Sequence, residues 1–279
     1  MAGVAGCRVG LRGRGAGCRR RRTRADGESG ERSLPGLVER EGDGPRAPVR
    51  VHRWVDGQPP DPGPVADDVA RWAGRTLATL HELAIRPSDR SLFPKPNTDT
   101  ADRWSGLTAA ATRAKASWAR RLADVEDAVR VIAALARAGG HRPDEEVMTH
   151  GDVDRKNLVL SPTGPVLCDW DVAVPLVPRR ELADAALSLG AWKRANTPRE
   201  VVAAYRAARS TQVDIEPADL GQSMMSGLDW IAFNVERAIG LRDADPAEAD
   251  TARRVVPRLL EALPEKVDVA LHVREVLTR

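Results

Sequence analysis

Strand-forming segments occur in only two places along this chain, and this scarcity limits the folds it can adopt. The segment "PVRVHRWVDG", residues 48–57, alternates apolar and polar residues and ends at an Asp-Gly turn signal; the other region covers residues 147–168. Elsewhere helical periodicity dominates, as over residues 67–83, where apolar residues recur at three- and four-residue spacing and predict one buried face. The sequence therefore predicts a mostly α-helical protein of the α+β class.

Capping residues predict where several helices begin. "TPRE" places Thr197 at an N-cap with Glu200 as its reciprocal partner, and "DPAE" gives Asp245 the same position. Pro257 and Pro264 are predicted to kink or break the last helical segment because proline lacks a backbone N–H. His81, in the helix "TLATLHEL", is expected to be a packed or capping side chain.

The first 32 residues differ from the remaining chain in composition. Residues 1–32 mix Gly and Arg with almost no large apolar side chains, so we predict a disordered tail, with contact to an anionic surface or nucleic acid as the alternative. Residues 1–30 carry eight Arg against Asp26 and Glu28, a charge of +6, which leaves −3 for the rest of a chain totalling +3. An acidic body argues against a nucleic-acid partner.

Cysteine count and hydropathy bear on the compartment. Cys7, Cys18 and Cys168 form an odd set without CxxC spacing, which favours neither a disulfide framework nor a zinc site. There is no apolar run of the length that a membrane span needs, at least about 18 residues. We therefore expect a cytoplasmic protein without a membrane partner.

The second strand region predicts a β-hairpin with polar residues at its open end. Leu158–Leu160 and Val166–Cys168 are short apolar strands joined by the turn "SPTGP". Counting outward from the turn places Asn157 opposite Asp169, with Asp152 in a loop just upstream. An amide and a carboxylate that converge in this way suit Mg²⁺, which prefers oxygen ligands and completes its shell with waters and phosphates.

The same residues suit phosphoryl transfer. This reaction needs a carboxylate that orients and deprotonates the attacking hydroxyl, which is the role expected of Asp152. The D-x-x-x-x-N spacing from Asp152 to Asn157 agrees with the kinase catalytic loop, and Asp169 falls where the metal-binding Asp of kinases follows the hairpin.

"HGDVDRKNLVL" followed by "VLCDWDVA" resembles the aminoglycoside phosphotransferase family, whose members carry an H-G-D-x-x-x-x-N loop and a D-W-[DE] element. The resemblance implies a protein-kinase-like fold with a hinge strand and a catalytic β-hairpin. It implies that Asp152 is the catalytic base, that Asn157 and Asp169 bind Mg²⁺, and that His150 structures the loop. Asp171 is expected to assist the metal site or face the acceptor pocket, with a structural role as the alternative.

The resemblance also assigns a hinge and suggests a domain division. Backbone groups near Trp54 and Val55 are expected to meet the adenine of ATP or another nucleoside triphosphate. The Gly-rich turn and strand Lys that hold ATP phosphates in kinases are not found before the hinge, so the N-terminal lobe is expected to be largely missing. The predicted division is a tail (residues 1–32), a remnant of the N-terminal lobe with the hinge (33–57) and a helical C-terminal lobe (58–279).

The predicted function is ATP-dependent phosphorylation of a small-molecule hydroxyl acceptor. The alternative is a catalytically silent or truncated kinase-like binding protein; a metal-dependent hydrolase fits poorly because its site would want more His ligands. The acceptor is expected against the helix "GLDWIAFNVERAIG", where Asp229, Phe233 and Glu236 share one side and would suit a cationic amino sugar. A solvated acidic face explains the same three residues.

Overall fold

A computed structural model describes residues 54–93, 95, 97–210 and 212–278. The predicted tail and nearly all of the predicted remnant and hinge strand lie outside these residues. The chain divides into two units, Met1–Trp54 and Val55–Arg279, and the second is described here. No helix in the described part of the chain is both long enough and apolar enough to cross a membrane.

The described residues form mainly helices, with four short strands in the middle of the chain. The helices are α1 (Asp67–Glu82), α2 (Asp99–Asp102), α3 (Trp104–Arg113), α4 (Ala119–Asp124), α5 (Glu126–Gly139), α6 (Pro178–Leu189), α7 (Asn196–Arg209), α8 (Gly221–Ala238), α9 (Pro246–Leu271) and α10 (Val273–Thr278). The strands are β1 (Val147–Thr149), β2 (Leu158–Ser161), β3 (Gly164–Leu167) and β4 (Val174–Leu176), and single 3₁₀ turns cover Arg90–Leu92, Arg155–Asn157, Trp170–Val172 and Pro217–Leu220.

Helix α1 packs along α7 and buries the face that its periodicity predicts. Val69 and Leu77 on this face are buried in the core. Gly74 allows the close approach of the two helices, because a Cβ atom there would lie 2.2 Å from the carbonyl oxygen of Val201. Leu83, predicted to belong to the same face, lies just beyond the end of α1 and is 60% exposed.

Helices α5, α8 and α9 pack against one another and complete the core. Asp245 begins α9 as predicted: its side chain accepts a hydrogen bond from Glu248 N at 2.8 Å, and the Glu248 carboxylate accepts one from Asp245 N at 3.2 Å. Pro257 and Pro264 lie inside α9, which continues across both, so the predicted break does not occur. The buried face of α9 holds it in place, since core packing outweighs the local cost of a proline.

The predicted cap of α7 is wrong. The helix begins at Asn196, and Thr197 donates its hydroxyl hydrogen to the carbonyl oxygen of Val65 at 2.9 Å. Glu200 pairs with Arg71 of α1 at 2.7 Å instead of capping its own helix. Thr197 is thus used to join α7 to the segment that enters α1, because the buried carbonyl of Val65 needs a donor.

The strands form two separate antiparallel pairs, β1 with β4 and β2 with β3. The β2–β3 hairpin is confirmed, but its register pairs Leu158 with Leu167, and Cys168 N donates to Asn157 O at 2.8 Å. Asn157 therefore lies opposite Cys168, and the predicted pairing of Asn157 with Asp169 is wrong by one residue.

Pro165 is compatible with this register, because the strand pair needs no backbone N–H at its position. Leu160 faces Pro165, which has no N–H, and directs its own N–H and carbonyl away from β3 to Gln58, at 2.8 and 3.2 Å. The segment that follows the predicted hinge thus pairs with the free edge of β2.

Candidate active site

The loop between β1 and β2 carries the predicted catalytic residues, and His150 holds its first turn. The ring is fully buried, with Nε2 2.8 Å from the carbonyl oxygen of Cys168 and Nδ1 3.3 Å from the backbone nitrogen of Asp152. Because that backbone N–H donates to Nδ1, the ring carries its hydrogen on Nε2 and donates it to Cys168. His150 thereby joins the backbone of Asp152 to the residue that precedes Asp169.

The Asp152 carboxylate is held in one orientation by two neighbours. Asn157 Nδ2 donates to Asp152 Oδ2 at 3.0 Å and to the backbone oxygen of Asp152 at 2.8 Å. Lys156 Nζ lies 2.7 Å from the same Oδ2 atom. The Asp152 side chain is 33% exposed, so it is fixed and still accessible from solvent.

Lys156 is a functional candidate that the sequence analysis did not single out. Burial alone would lower the pKa of Lys156, but the hydrogen bond and charge of Asp152, with the charges of Asp154 and Asp169, outweigh burial and raise that pKa. Lys156 is therefore a firmly charged ammonium group beside the predicted base. The sequence feature that could have identified Lys156 is its position in the "HGDVDRKN" motif, one residue before Asn157.

Asp169 follows β3 in a left-handed backbone conformation, with φ 64° and ψ 57°. Asp tolerates this conformation better than most residues, and such positions are common at functional sites. The side chain is exposed at the start of the Trp170–Val172 turn. Asp171, in that turn, is exposed and lies on the wall of a cleft.

The donor chemistry of these residues fits Mg²⁺. Among the described residues, no three His, Cys, Asp or Glu side chains lie together as a ready-made metal site. Mg²⁺ does not require one, since it keeps waters and binds substrate phosphates through one or two protein ligands. Asn157 donates hydrogen bonds to Asp152 from Nδ2, so its Oδ1 oxygen is the atom that could bind a cation. The exposed carboxylate of Asp169 could provide a second ligand.

A cleft of about 810 Å³ opens beside this loop. Asp152, Lys156 and Asp171 line one part, and Glu181 and Asp184 of α6 line another. Residues from the Arg90–Leu92 turn, β4 and α8 complete the wall. The predicted base thus faces a space large enough for a small molecule.

Asp184 is the most perturbed acid of the cleft. Burial raises the pKa of Asp184 from 3.8 to about 6; the nearby charges of Asp152 and Asp154 act in the same direction, while Ser223 and Lys266 oppose them. The negative charge of Asp152 therefore disfavours the ionised form of Asp184, and both residues line the cleft. The sequence signal for α6 was the acidic pair in "ELAD", Glu181 and Asp184, at helical spacing shortly after "DWD".

The predicted hinge residues lie at the edge of the described chain. Trp54 is 67% exposed and belongs to the first unit, whereas Val55 begins the second. Residues 54–57 have no regular secondary structure, and Gln58 then pairs with Leu160 of β2. The role of Trp54 and Val55 in nucleotide binding stays a prediction.

The predicted acceptor residues on α8 have partners of their own. Glu236 is buried and contacts Arg103 Nη1 at 2.7 Å and Arg242 Nη2 at 2.8 Å. Burial alone would raise the pKa of Glu236, but these two guanidinium groups more than offset it and lower the pKa. The Phe233 ring has the Arg237 and Arg242 guanidinium carbons 4.2 and 4.9 Å from its centroid.

Asp229 contacts a residue of α2. It accepts a hydrogen bond from Thr100 Oγ1 at 2.5 Å and lines a smaller cavity of about 160 Å³. None of the three predicted acceptor residues contributes to the wall of the cleft that contains Asp152.

The helical body, the β2–β3 hairpin and the adjoining cleft agree with the predicted kinase-like fold. A profile of the phosphotransferase enzyme family (APH) matches residues 24–221. The chain therefore belongs to the phosphotransferase enzyme family, and the predicted fold class and family are confirmed.

Solved structures support the same fold. The aminoglycoside phosphotransferase from Alicyclobacillus acidocaldarius is 19% identical, with a TM-score of 0.50 over 80% of this chain and 70% of that one. Spectinomycin phosphotransferase in complex with ADP and spectinomycin is 14% identical, with a TM-score of 0.55 over 77% of this chain and 70% of that one. Its AMP-bound complex gives a TM-score of 0.52 at 14% identity over 76% and 70%. A search of curated protein sequences found no match to this chain.

Proposed function

We propose that this protein transfers the γ-phosphoryl group of ATP, or of another nucleoside triphosphate, to a hydroxyl group of a small molecule. The observation that carries the proposal is the Asp152 carboxylate, fixed by Asn157 and Lys156 on the wall of the 810 Å³ cleft. We also propose a division of the chain into three parts: a tail (residues 1–32), a remnant of the N-terminal lobe (33–57) and a helical C-terminal lobe (58–279).

Asp152 acts as the general base in this proposal. The acceptor hydroxyl gives its proton to the Asp152 carboxylate while its oxygen forms a bond to the γ-phosphorus, and the bond from that phosphorus to the bridging oxygen breaks as the nucleoside diphosphate leaves. Lys156, 2.7 Å from the carboxylate, places a positive charge beside the phosphoryl group in transfer. His150 and Asn157 keep the base in orientation through its backbone and side chain.

Asn157 Oδ1 and the Asp169 carboxylate are the atoms that we propose hold Mg²⁺. When bound, the ion would neutralise the negative charge of the nucleotide phosphates. The negative charge of Asp169 helps to raise the pKa of Lys156, which supports a metal ligand and a phosphate contact in the same part of the site.

We place the acceptor in the cleft instead of against Asp229, Phe233 and Glu236. The carboxylates of Asp171 and Asp184 line the same cleft as Asp152. Because these groups attract positive charge, we expect a hydroxylated amine to bind better than an anionic acceptor. Glu236, by contrast, is already neutralised by two arginines.

A transfer assay with a small panel tests this function. Purified protein is incubated with labelled Mg-ATP and, separately, with spectinomycin, glucosamine, ethanolamine and glycerol, and phosphorylated product is measured. A thermal shift with Mg-ATP is recorded in parallel, because a ligand stabilises the folded state that binds it. Transfer to an amine together with a thermal shift supports the proposal. A thermal shift without transfer to any compound favours the silent binding protein. If the protein shows no thermal shift and no transfer, the results contradict both the phosphotransferase and the binding protein.

A further inference from the structure

Several acidic side chains on the wall of the cleft already have a basic partner. Each of these carboxylates contacts a side-chain nitrogen of Arg, Lys or His, so a ligand cation would have to compete with that partner. The pairs are Asp152 with Lys156 at 2.7 Å, Glu146 with Arg90 at 2.8 Å, Glu181 with His81 at 2.6 Å and Asp219 with Arg179 at 2.9 Å.

Asp184 differs from these acids. In the part of the chain that the structure describes, no Arg, Lys or His nitrogen lies within ion-pair distance of its carboxylate, and its hydrogen-bond partner is the Ser223 hydroxyl. That hydroxyl has one hydrogen, and its oxygen lies 3.1 Å from the carbonyl oxygen of Leu220, which competes for the same hydrogen. Asp184 therefore presents a carboxylate with little support to the cleft that it lines.

Lys266 of α9 acts on Asp184 through its charge without forming an ion pair with it. Its Nζ atom lies 5.2 Å from the centroid of the Trp192 ring. The charge of Lys266 opposes burial and the charges of Asp152 and Asp154, yet the pKa of Asp184 still rises to about 6. Because Asp184 lines an open cleft of about 810 Å³, a ligand cation has room to approach its carboxylate directly.

We propose that Asp184 is the specificity-determining residue for the acceptor and binds its ammonium group as a direct ion pair. The acceptor is then a hydroxylated amine with its ammonium group at α6 and its reacting hydroxyl at Asp152. A neutral polyol binds less well, because it leaves the Asp184 carboxylate without a cation. This inference rests on the proposed phosphotransferase function for calling the ligand an acceptor, whereas the ion pair can be measured without transfer.

The bound ammonium group takes the place of a proton on Asp184. The free protein holds this proton below about pH 6, so amine affinity is full above that pH and falls as the pH drops. With a pKa of about 6, about one eleventh of Asp184 is ionised at pH 5 and about ten elevenths at pH 7. The Kd for an amine should therefore be about tenfold higher at pH 5 than at pH 7.

Isothermal titration calorimetry of the full chain tests the ion pair with the panel compounds. Spectinomycin, glucosamine and ethanolamine supply the amines, and glycerol is the neutral control. We expect at least one amine to bind the wild type with the tenfold pH ratio. Asp184→Asn should raise the Kd of that amine at pH 7 by at least about 30-fold, because removing one partner of a buried ion pair is costly.

Two comparisons assign the pH dependence to Asp184. The ratio of the Kd values at pH 5 and pH 7 should approach one in Asp184→Asn, and the same ligand is used throughout, so its own titration cancels. Asp171→Asn removes a different carboxylate of the cleft and should keep the tenfold ratio. Lys266→Met should move the pH at which affinity falls to a higher value, because the charge of Lys266 opposes the raised pKa of Asp184.

The outcomes separate this inference from the proposed function. If the wild type binds an amine in this Asp184-dependent way but transfers no phosphate, the proposed function fails and the amine site stands. If phosphate is transferred and Asp184→Asn binds the amine as tightly as the wild type at both pH values, the amine site is overturned and the function stands. Failure of the wild type to bind any of the three amines at either pH also overturns the amine site.

Discussion

Replacing Asp184 by asparagine is expected to stabilise the protein at neutral pH and to have little effect in acid. The folded-state pKa of Asp184 lies near 6, above its ordinary 3.8, because burial penalises the charged form. The folded state therefore holds this proton more tightly than the unfolded state, and the resulting stabilisation is complete below pH 3.8 and is lost as the pH rises through 6. Asparagine keeps the side chain neutral at every pH.

The magnitude follows from the pKa rise. Each pKa unit corresponds to about 1.36 kcal/mol, so a rise from 3.8 to about 6 is worth at most about 3 kcal/mol. Lys266 reduces the gain, because burial already lowers the pKa of Lys266 and the substitution removes the Asp184 charge that opposes this effect. We therefore expect Asp184→Asn to raise the free energy of unfolding at about pH 8 by roughly 1 to 3 kcal/mol.

Urea unfolding of wild type and Asp184→Asn at several values between about pH 4 and pH 8 measures this difference. Asp243→Asn, which changes an exposed loop carboxylate, is the matched control and should show no such trend. A difference between Asp184→Asn and wild type that stays constant over this range would refute the assignment of a raised pKa to Asp184.

Three further substitutions test the loop and its ligands. Lys156→Met should reduce transfer on the order of 100-fold, because it removes the positive charge beside Asp152, and an unchanged turnover number in steady-state kinetics would contradict that role. Asp169→Asn should raise the Mg²⁺ concentration for half-maximal transfer by at least about tenfold, and a magnesium titration that matches wild type would remove Asp169 from the proposed metal site. Gly151→Ala should cost about 1 to 3 kcal/mol of stability, since its φ is 83° and its Cβ would meet Val172 O at 2.7 Å; thermal unfolding equal to wild type would show that the loop relaxes freely.

The local parts of this site could be predicted from the sequence. The hairpin follows from two short apolar segments around a turn, and the D-x-x-x-x-N spacing brings Asn157 to Asp152 because five residues of loop and 3₁₀ turn close on each other. Short-range spacing of this kind depends on few degrees of freedom, so the pattern alone carries it.

The register of the hairpin could not be predicted in the same way. Pro162 and Pro165 both lie near the turn, and the choice between two and three turn residues depends on Gln58, which takes the N–H and carbonyl of Leu160 from the other side. That partner is about 100 residues earlier in the chain. A non-local contact therefore fixed a detail that the local sequence leaves open.

The same limit applies to the acids of the site. Glu181 and Asp184 lie in an ordinary helical pattern, and nothing local shows that one holds the Gly151 peptide and the other lines the cleft. The sequence predicted Glu236 as an acceptor residue from its position on one helix face. In the structure its carboxylate forms an ion pair with Arg103, which belongs to a distant part of the chain. Charge partners between helices are set by packing, which periodicity alone does not reveal.

Phosphoryl transfer by wild type and Asp152→Asn, measured side by side with Mg-ATP and the best acceptor of the panel, tests the central claim most directly. Asparagine has nearly the same shape and retains an oxygen for Asn157, so the loop and the thermal shift with Mg-ATP should be preserved. We predict that transfer falls by roughly 100- to 10,000-fold, because the amide cannot take the proton of the acceptor hydroxyl. Transfer at the wild-type rate by a folded, nucleotide-binding Asp152→Asn protein would show that Asp152 is not the base.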